Sequence, residues 1–175
     1  SIETRVQPIG ISYDFMSPGR TPVFVAVGPL LRGMKHLGHP AMCAKVKAAL
    51  LAQSTITATH LGSRLLRLHA GERLCAADVS RFLQQGAAHC AAAGVRVDRR
   101  LLDPRATAVR TRAFIDYCVR CERIVADGSN RFIVCPEGTG LRRRVADPHH
   151  ALAHVNNELT EIVAAHPGLL ERITG

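Results

Sequence analysis

Between Pro22 and Val27 the chain reads PVFVAV, six residues with no polar side chain among them. A half-buried strand alternates apolar with polar. A run that is apolar on both pleat faces belongs to a strand covered on both sides, as in an α/β sheet. Val6–Tyr13 just before it is also rich in β-formers. Pro8 within that stretch confines it to a sheet edge or to the first residues of a strand. Ser17-Pro18-Gly19-Arg20 between the two is turn chemistry. Two strands cannot cover themselves on both faces. The pair therefore demands a larger sheet and covering helices, of which the remaining chain supplies only part.

After Ala41 the pattern becomes helical. Met42, Val46, Ala49 and Leu50 recur at helical spacing, as do Leu61, Leu65 and Leu68, and Gly71 stops the second helix. Asp78 is placed to cap a third, with Val79, Phe82, Leu83, Ala87 and Cys90 inward and Gly94 at its end. A fourth is expected from about Thr107 to Asp127, with Val109, Ala113, Tyr117, Cys121 and Ile124 on its inner face. Arg131–Cys135 reads as a short strand. The last helix, from about His149 to Ala165, carries Leu152, Val155, Leu159, Ile162 and Val163. The fold class expected is α+β. Residues 1–55 form the tail of an α/β domain and residues 56–175 a mainly helical one.

The chain has 175 residues, 47% of them hydrophobic, which suffices for a true core. Aromatic residues are only 4%, so a surface of stacked rings for bases is not expected. The net charge is +9 and almost all of the positive charge is arginine. That balance favours anionic partners: phosphate groups, nucleic acid, an anionic membrane face or an acidic protein. Six cysteines spread along the chain, without a secretory signal, read as reduced thiols of a cytoplasmic protein. No apolar run is long enough to span a bilayer, so any membrane association is expected at the surface.

The stretch VQPIGISYDFMSPGRTPVFVAVGPLL resembles the last conserved block, and the strand after it, of the glycerolipid acyltransferase family, the glycerol-phosphate and lysophosphatidate O-acyltransferases. There a proline-containing strand of the type P-V-x-I follows the catalytic motifs, and a second strand ends in V-x-x-G-x-P-L. Pro8, Ile9, Gly10 and Ile11 fit the first. Val27, Gly28, Pro29 and Leu30 fit the second, with one residue fewer between glycine and proline. The helical remainder is similar to the carboxy-terminal extension of some members.

The resemblance implies acyl transfer from acyl-CoA or acyl carrier protein to a glycerol-phosphate hydroxyl, with no further cofactor. It places Pro8 and Ile9 in a binding block. It also implies catalysis by a His and an Asp separated by four residues, the His as base and the Asp as its orienter. None of the nine histidines has Asp five positions later. The resemblance thus implies a chain that is the back end of a larger enzyme, whose catalytic pair lies upstream, at the cytoplasmic face of the inner membrane. Arg142, Arg143 and Arg144, with Arg120 and Arg123, are candidates for docking an acidic carrier protein.

Other motifs keep two readings each. Pro136-Glu137-Gly138-Thr139 is similar to the family's phosphate-binding F-P-E-G-T-R block, yet Gly140 stands where the arginine belongs, and the same residues make good turn chemistry. Arg142–Arg144 beside it is either an anion patch or a solvated loop. Cys118 and Cys121, with Cys135 and the histidines near 150, read as a zinc site or as buried structural thiols facing one core. The helices at Thr59–Ala70 and Asp78–Ala93, on a basic chain, raise nucleic-acid binding as the alternative function. Their connection, Gly71–Ala77, is longer than that of a helix-turn-helix.

Overall fold

The computed structural model describes residues 5–14, 21–127, 131–136 and 151–173. Strands β1 (Ile9–Tyr13) and β2 (Val23–Val27) form an antiparallel two-stranded ribbon in which Ile9 faces Val27 and Tyr13 faces Val23. A helix α1 (His39–Leu51) leads into α2 (Ala58–Leu68). Strand β3 (Arg73–Cys75) then runs straight into α3 (Ala76–Ala92). After a 3-10 turn at Arg99–Leu102 come α4 (Pro104–Arg120), strands β4 (Ile124–Ala126) and β5 (Arg131–Val134), α5 (Ala151–Val163) and the short α6 (Leu169–Arg172). The fold is mixed α+β, with a second, antiparallel sheet in the order β3-β5-β4.

The hydrophobic core lies between α2, α3, α4, α5 and this second sheet. It starts at Ile56 and runs to Ile173, with Leu61, Leu83, Leu101, Val134 and Leu159 fully buried. Helix α2 sits at its centre and is buried from Ala58 to Ser63. It can do so because Gly62 presents no side chain: a Cβ there would stand 2.1 Å from the ring of Phe114 on α4. Helix α5 behaves as its periodicity predicts, with Leu152, Val155, Leu159, Ile162 and Val163 all buried. Gly94 closes α3 with left-handed backbone, φ +78, whereas α2 is capped at His69 and Gly71, φ +85, lies two residues beyond and donates its N–H to the Val134 carbonyl at 2.8 Å.

Several expectations are corrected. Pro22–Val27 does contain a strand, but the described residues cover only one of its faces: Val23, Val25 and Val27 are 52%, 64% and 61% exposed, while Ala26 is buried. Helix α4 begins at Pro104, capped by the Asp103 side chain, and stops at Arg120. Its inner face carries Thr107, Thr111, Ala113, Phe114 and Cys118, not Val109, which is 56% exposed. Residues Ile124–Ala126 are strand, not helix. Asp78 is not the first cap of α3 but the third helical residue; Cys75 is the cap, and the Asp78 carboxylate accepts its N–H at 2.9 Å. That bonding, from Cys75 side chain and backbone, holds the Asp78 carboxyl below its ordinary range. The predicted turn at Ser17–Arg20 lies outside the described residues.

Candidate functional site

The residues that carry the family-like block lie on the ribbon, so its geometry decides what the block can do. Side chains alternate across a strand. Pro8, Gly10, Ser12 and Asp14 turn inward and are buried; Ile9, Ile11 and Tyr13 turn outward and are 49%, 52% and 53% exposed. With Val23, Val25 and Val27 opposite them, they make an outer face of six apolar side chains that nothing in the described structure covers. Pro8 and Ile9, adjacent in sequence, therefore serve opposite faces. Pro8 is part of the ribbon's seat; Ile9 is accessible.

The inner face rests on the helices through polar contacts. Gly10 and Gly28 let it approach, since a Cβ on Gly10 would meet the Gln53 carbonyl oxygen at 2.5 Å and one on Gly28 the Gln53 amide at 2.8 Å. The Ser12 hydroxyl accepts the Thr55 N–H at 2.9 Å. The Thr59 hydroxyl on α2 donates to the fully buried Asp14 carboxylate at 3.0 Å, and Arg110 on α4 stands 3.7 Å from its other oxygen. Arg100 covers the ring of Phe24, 5.5 Å from its centroid. Buried Asp98 holds that guanidinium in a two-pronged bond, both prongs 2.8 Å, which also raises the Arg100 pKa.

Beside β2 lies a cleft of about 590 Å³ bounded by Val23 to Ala26 on one side and by the segment Gly94–Val97 with Arg99 and Leu102 on the other. Arg96 and Arg99 are exposed there. This pair of cations carries no sequence signal beyond general basicity; the fold brings it beside the ribbon because Val97 bridges to Ile56 in parallel.

A second polar centre is closed. His60 is buried, and its Nδ1 accepts from the Thr57 N–H at 3.1 Å and lies 2.9 Å from the Thr57 hydroxyl. That is a capping box at the start of α2. Its Nε2 stands 3.5 Å from Glu158 on α5, whose carboxyl is held below its ordinary range by bonding to His60. The pair resembles a base and its orienter, yet the imidazole is buried and its Nδ1 is committed to the start of α2.

Arg142, Arg143, Arg144, Glu137–Thr139 and His149–His150 lie outside the described residues. Arg120 is exposed, whereas Arg123 is buried and cannot offer its charge to a carrier. Cys118 is fully buried and Cys121, which follows α4's last turn, is half-buried. Burial pushes the Cys118 thiol well up and Cys90 to about 11. Among the described residues no group of three or more His, Cys, Asp and Glu side chains could hold a metal ion, and no helix is long and apolar enough to cross a membrane. No family model, curated protein or solved structure matches the chain.

Proposed function

We propose that this chain is the carboxy-terminal part of a glycerolipid acyltransferase, with the β1–β2 ribbon as the element that joins its helical body to an α/β catalytic domain. The observation that supports this most is the ribbon's outer face. Ile9, Ile11, Tyr13, Val23, Val25 and Val27 are about half exposed or more and lie together on one face of the ribbon. Contiguous apolar faces of this kind mark interaction surfaces. The same residues lie in the block that resembles the family, where the strands belong to a larger, covered sheet.

In this reading the catalytic domain covers the outer face and supplies the His and Asp. The acyl group moves from acyl-CoA or acyl carrier protein to a glycerol-phosphate hydroxyl at the inner membrane face. The present chain contributes the seat of the ribbon and the basic surface. The test has two arms. Reading the coding frame on the 5′ side of Ser1 should reveal a His-x4-Asp motif. The longer product should transfer acyl groups to glycerol-phosphate, while the purified 175-residue chain should not. Turnover by the short chain alone, or an upstream frame without the motif, overturns the reading.

A further inference from the structure

We infer that the free edge of β2, with the cleft beside it, is a docking site for an extended acidic peptide segment that adds to the ribbon as a third strand. The inference rests on the ribbon's own geometry and stands independently of the acyltransferase reading.

The hydrogen-bond parity of the ribbon is fixed at its two ends. The Gly28 N–H donates to the Pro8 carbonyl at 2.9 Å and the Asp14 N–H to the Pro22 carbonyl at 3.1 Å. Pro22, Phe24, Ala26 and Gly28 therefore direct their backbone groups at β1. Val23, Val25 and Val27 direct theirs at the opposite edge. There β2 has no neighbouring strand, and among the described residues those backbone groups have no hydrogen-bond partner. Proteins usually protect such an edge with a lysine, a proline or a bulge. Val23–Val27 contains none of these.

The occupant's chemistry comes from the two sides of the cleft. An added strand would alternate in step with β2. One set of its side chains would extend the outer face beside Val23 and Val25, which asks for apolar residues. The other set would face the Gly94–Arg99 segment, where Arg96 and Arg99 are exposed and without an ion pair among the described residues. Among the described residues the cleft lining has no carboxylate. Arg100, the third guanidinium nearby, is already taken by Asp98. That asks for acidic residues. A second copy of this chain fits less well, since it would bring its own arginines and a net charge of +9 to the same edge.

The test uses the purified chain and a capped octapeptide of alternating valine and glutamate, with valine–lysine and valine–glutamine octapeptides as comparisons. Calorimetry should show binding of the glutamate peptide, weakening with salt, and at least about tenfold weaker binding of the other two. Amide exchange at Val23, Val25 and Val27 should slow on binding. Val25→Pro removes an outward N–H that the ribbon itself does not use and should weaken binding about tenfold, as should Arg96→Gln with Arg99→Gln. Should Val25→Pro fail to fold, a glutamate peptide N-methylated at alternate residues makes the same cut from the other side, and its binding should likewise fall. The inference is overturned if the glutamate peptide does not bind at millimolar concentration, or binds no better than the lysine peptide. It is equally overturned if N-methylation leaves affinity unchanged, or if the edge amides are protected only by anionic phosphatidylglycerol vesicles or by self-association.

Discussion

The Asp14 carboxylate and the Thr59 hydroxyl, forty-five positions apart, meet at 3.0 Å in the buried seam between the ribbon and α2. Asp14 is wholly buried and Arg110 stands at its other oxygen. Removing a buried charge's partners costs more than a surface bond returns. Asp14→Ala should therefore destabilise the chain by about 2–3 kcal/mol, and Thr59→Val by about 1 kcal/mol. The double variant should fall short of the sum, because the two share one bond. Urea unfolding followed by circular dichroism measures all three. Additive losses would mean the bond contributes nothing.

Gly62 sits where α2 crosses α4, and an added methyl would stand 2.1 Å from Phe114. In an exposed helix Gly→Ala is worth about 1 kcal/mol in favour of alanine. Here overpacking against a ring that is 1% exposed outweighs it. Gly62→Ala should lower stability by about 2 kcal/mol, and Phe114→Leu should recover part of that loss in the double variant. Thermal melting of the two single variants and the double settles it; a stabilised Gly62→Ala would refute the close approach.

Glu158 has its carboxyl depressed below the unfolded value by His60, against a smaller opposing effect of burial. A depressed carboxyl contributes stability above the unfolded pKa of about 4.3 and loses it as pH falls through the folded value. Glu158→Gln should therefore flatten the acid side of the stability profile below about pH 4.3. Its side chain is 35% exposed, so solvent screening holds the effect to about 1 kcal/mol or less. Denaturation midpoints between neutral and acid pH, compared for the two proteins, read this directly.

The thiols should sort by burial. Cys43 is exposed on α1, while Cys90 and Cys118 are fully buried and their thiolates disfavoured. Under native conditions at neutral pH, a thiol reagent should label Cys43 within minutes and leave Cys90 and Cys118 untouched until the chain unfolds. Peptide mass mapping identifies the order. Prompt labelling of Cys118 would contradict the packing of α4.

How far the sequence foretold the fold depended on what each segment uses to hold itself. Helix α5 was legible because its inward positions, Asn156 apart, are aliphatic and spaced for one face. Helix α4 was misphased because two of its buried positions are threonines. The Thr107 hydroxyl donates to the Leu101 and Asp103 carbonyls, both at 2.9 Å, a satisfaction that hydrophobic periodicity cannot register. Strands β3 and β4 have three residues each, too few for an alternation to show. The cap of α3 was displaced by one turn because cysteine is an unusual cap and Asp78 a common one. In β2 the residues told truly that both faces are apolar, but not whether this chain supplies both covers. Arg96 and Arg99 meet β2 only through long-range folding, so the basic cleft had no local signature.

The ribbon's seat has a mechanical meaning. Its inner side is fixed by glycines that touch Gln53 and by directional bonds at Ser12 and Asp14, while the main hydrophobic cluster begins at Ile56. Such an attachment sets angle and position sharply through a few directional contacts, and few buried apolar contacts are what local opening requires. The molecule thus offers its first strands as a plate that is accurately aimed but lightly fastened. Whatever settles on that plate would fasten it.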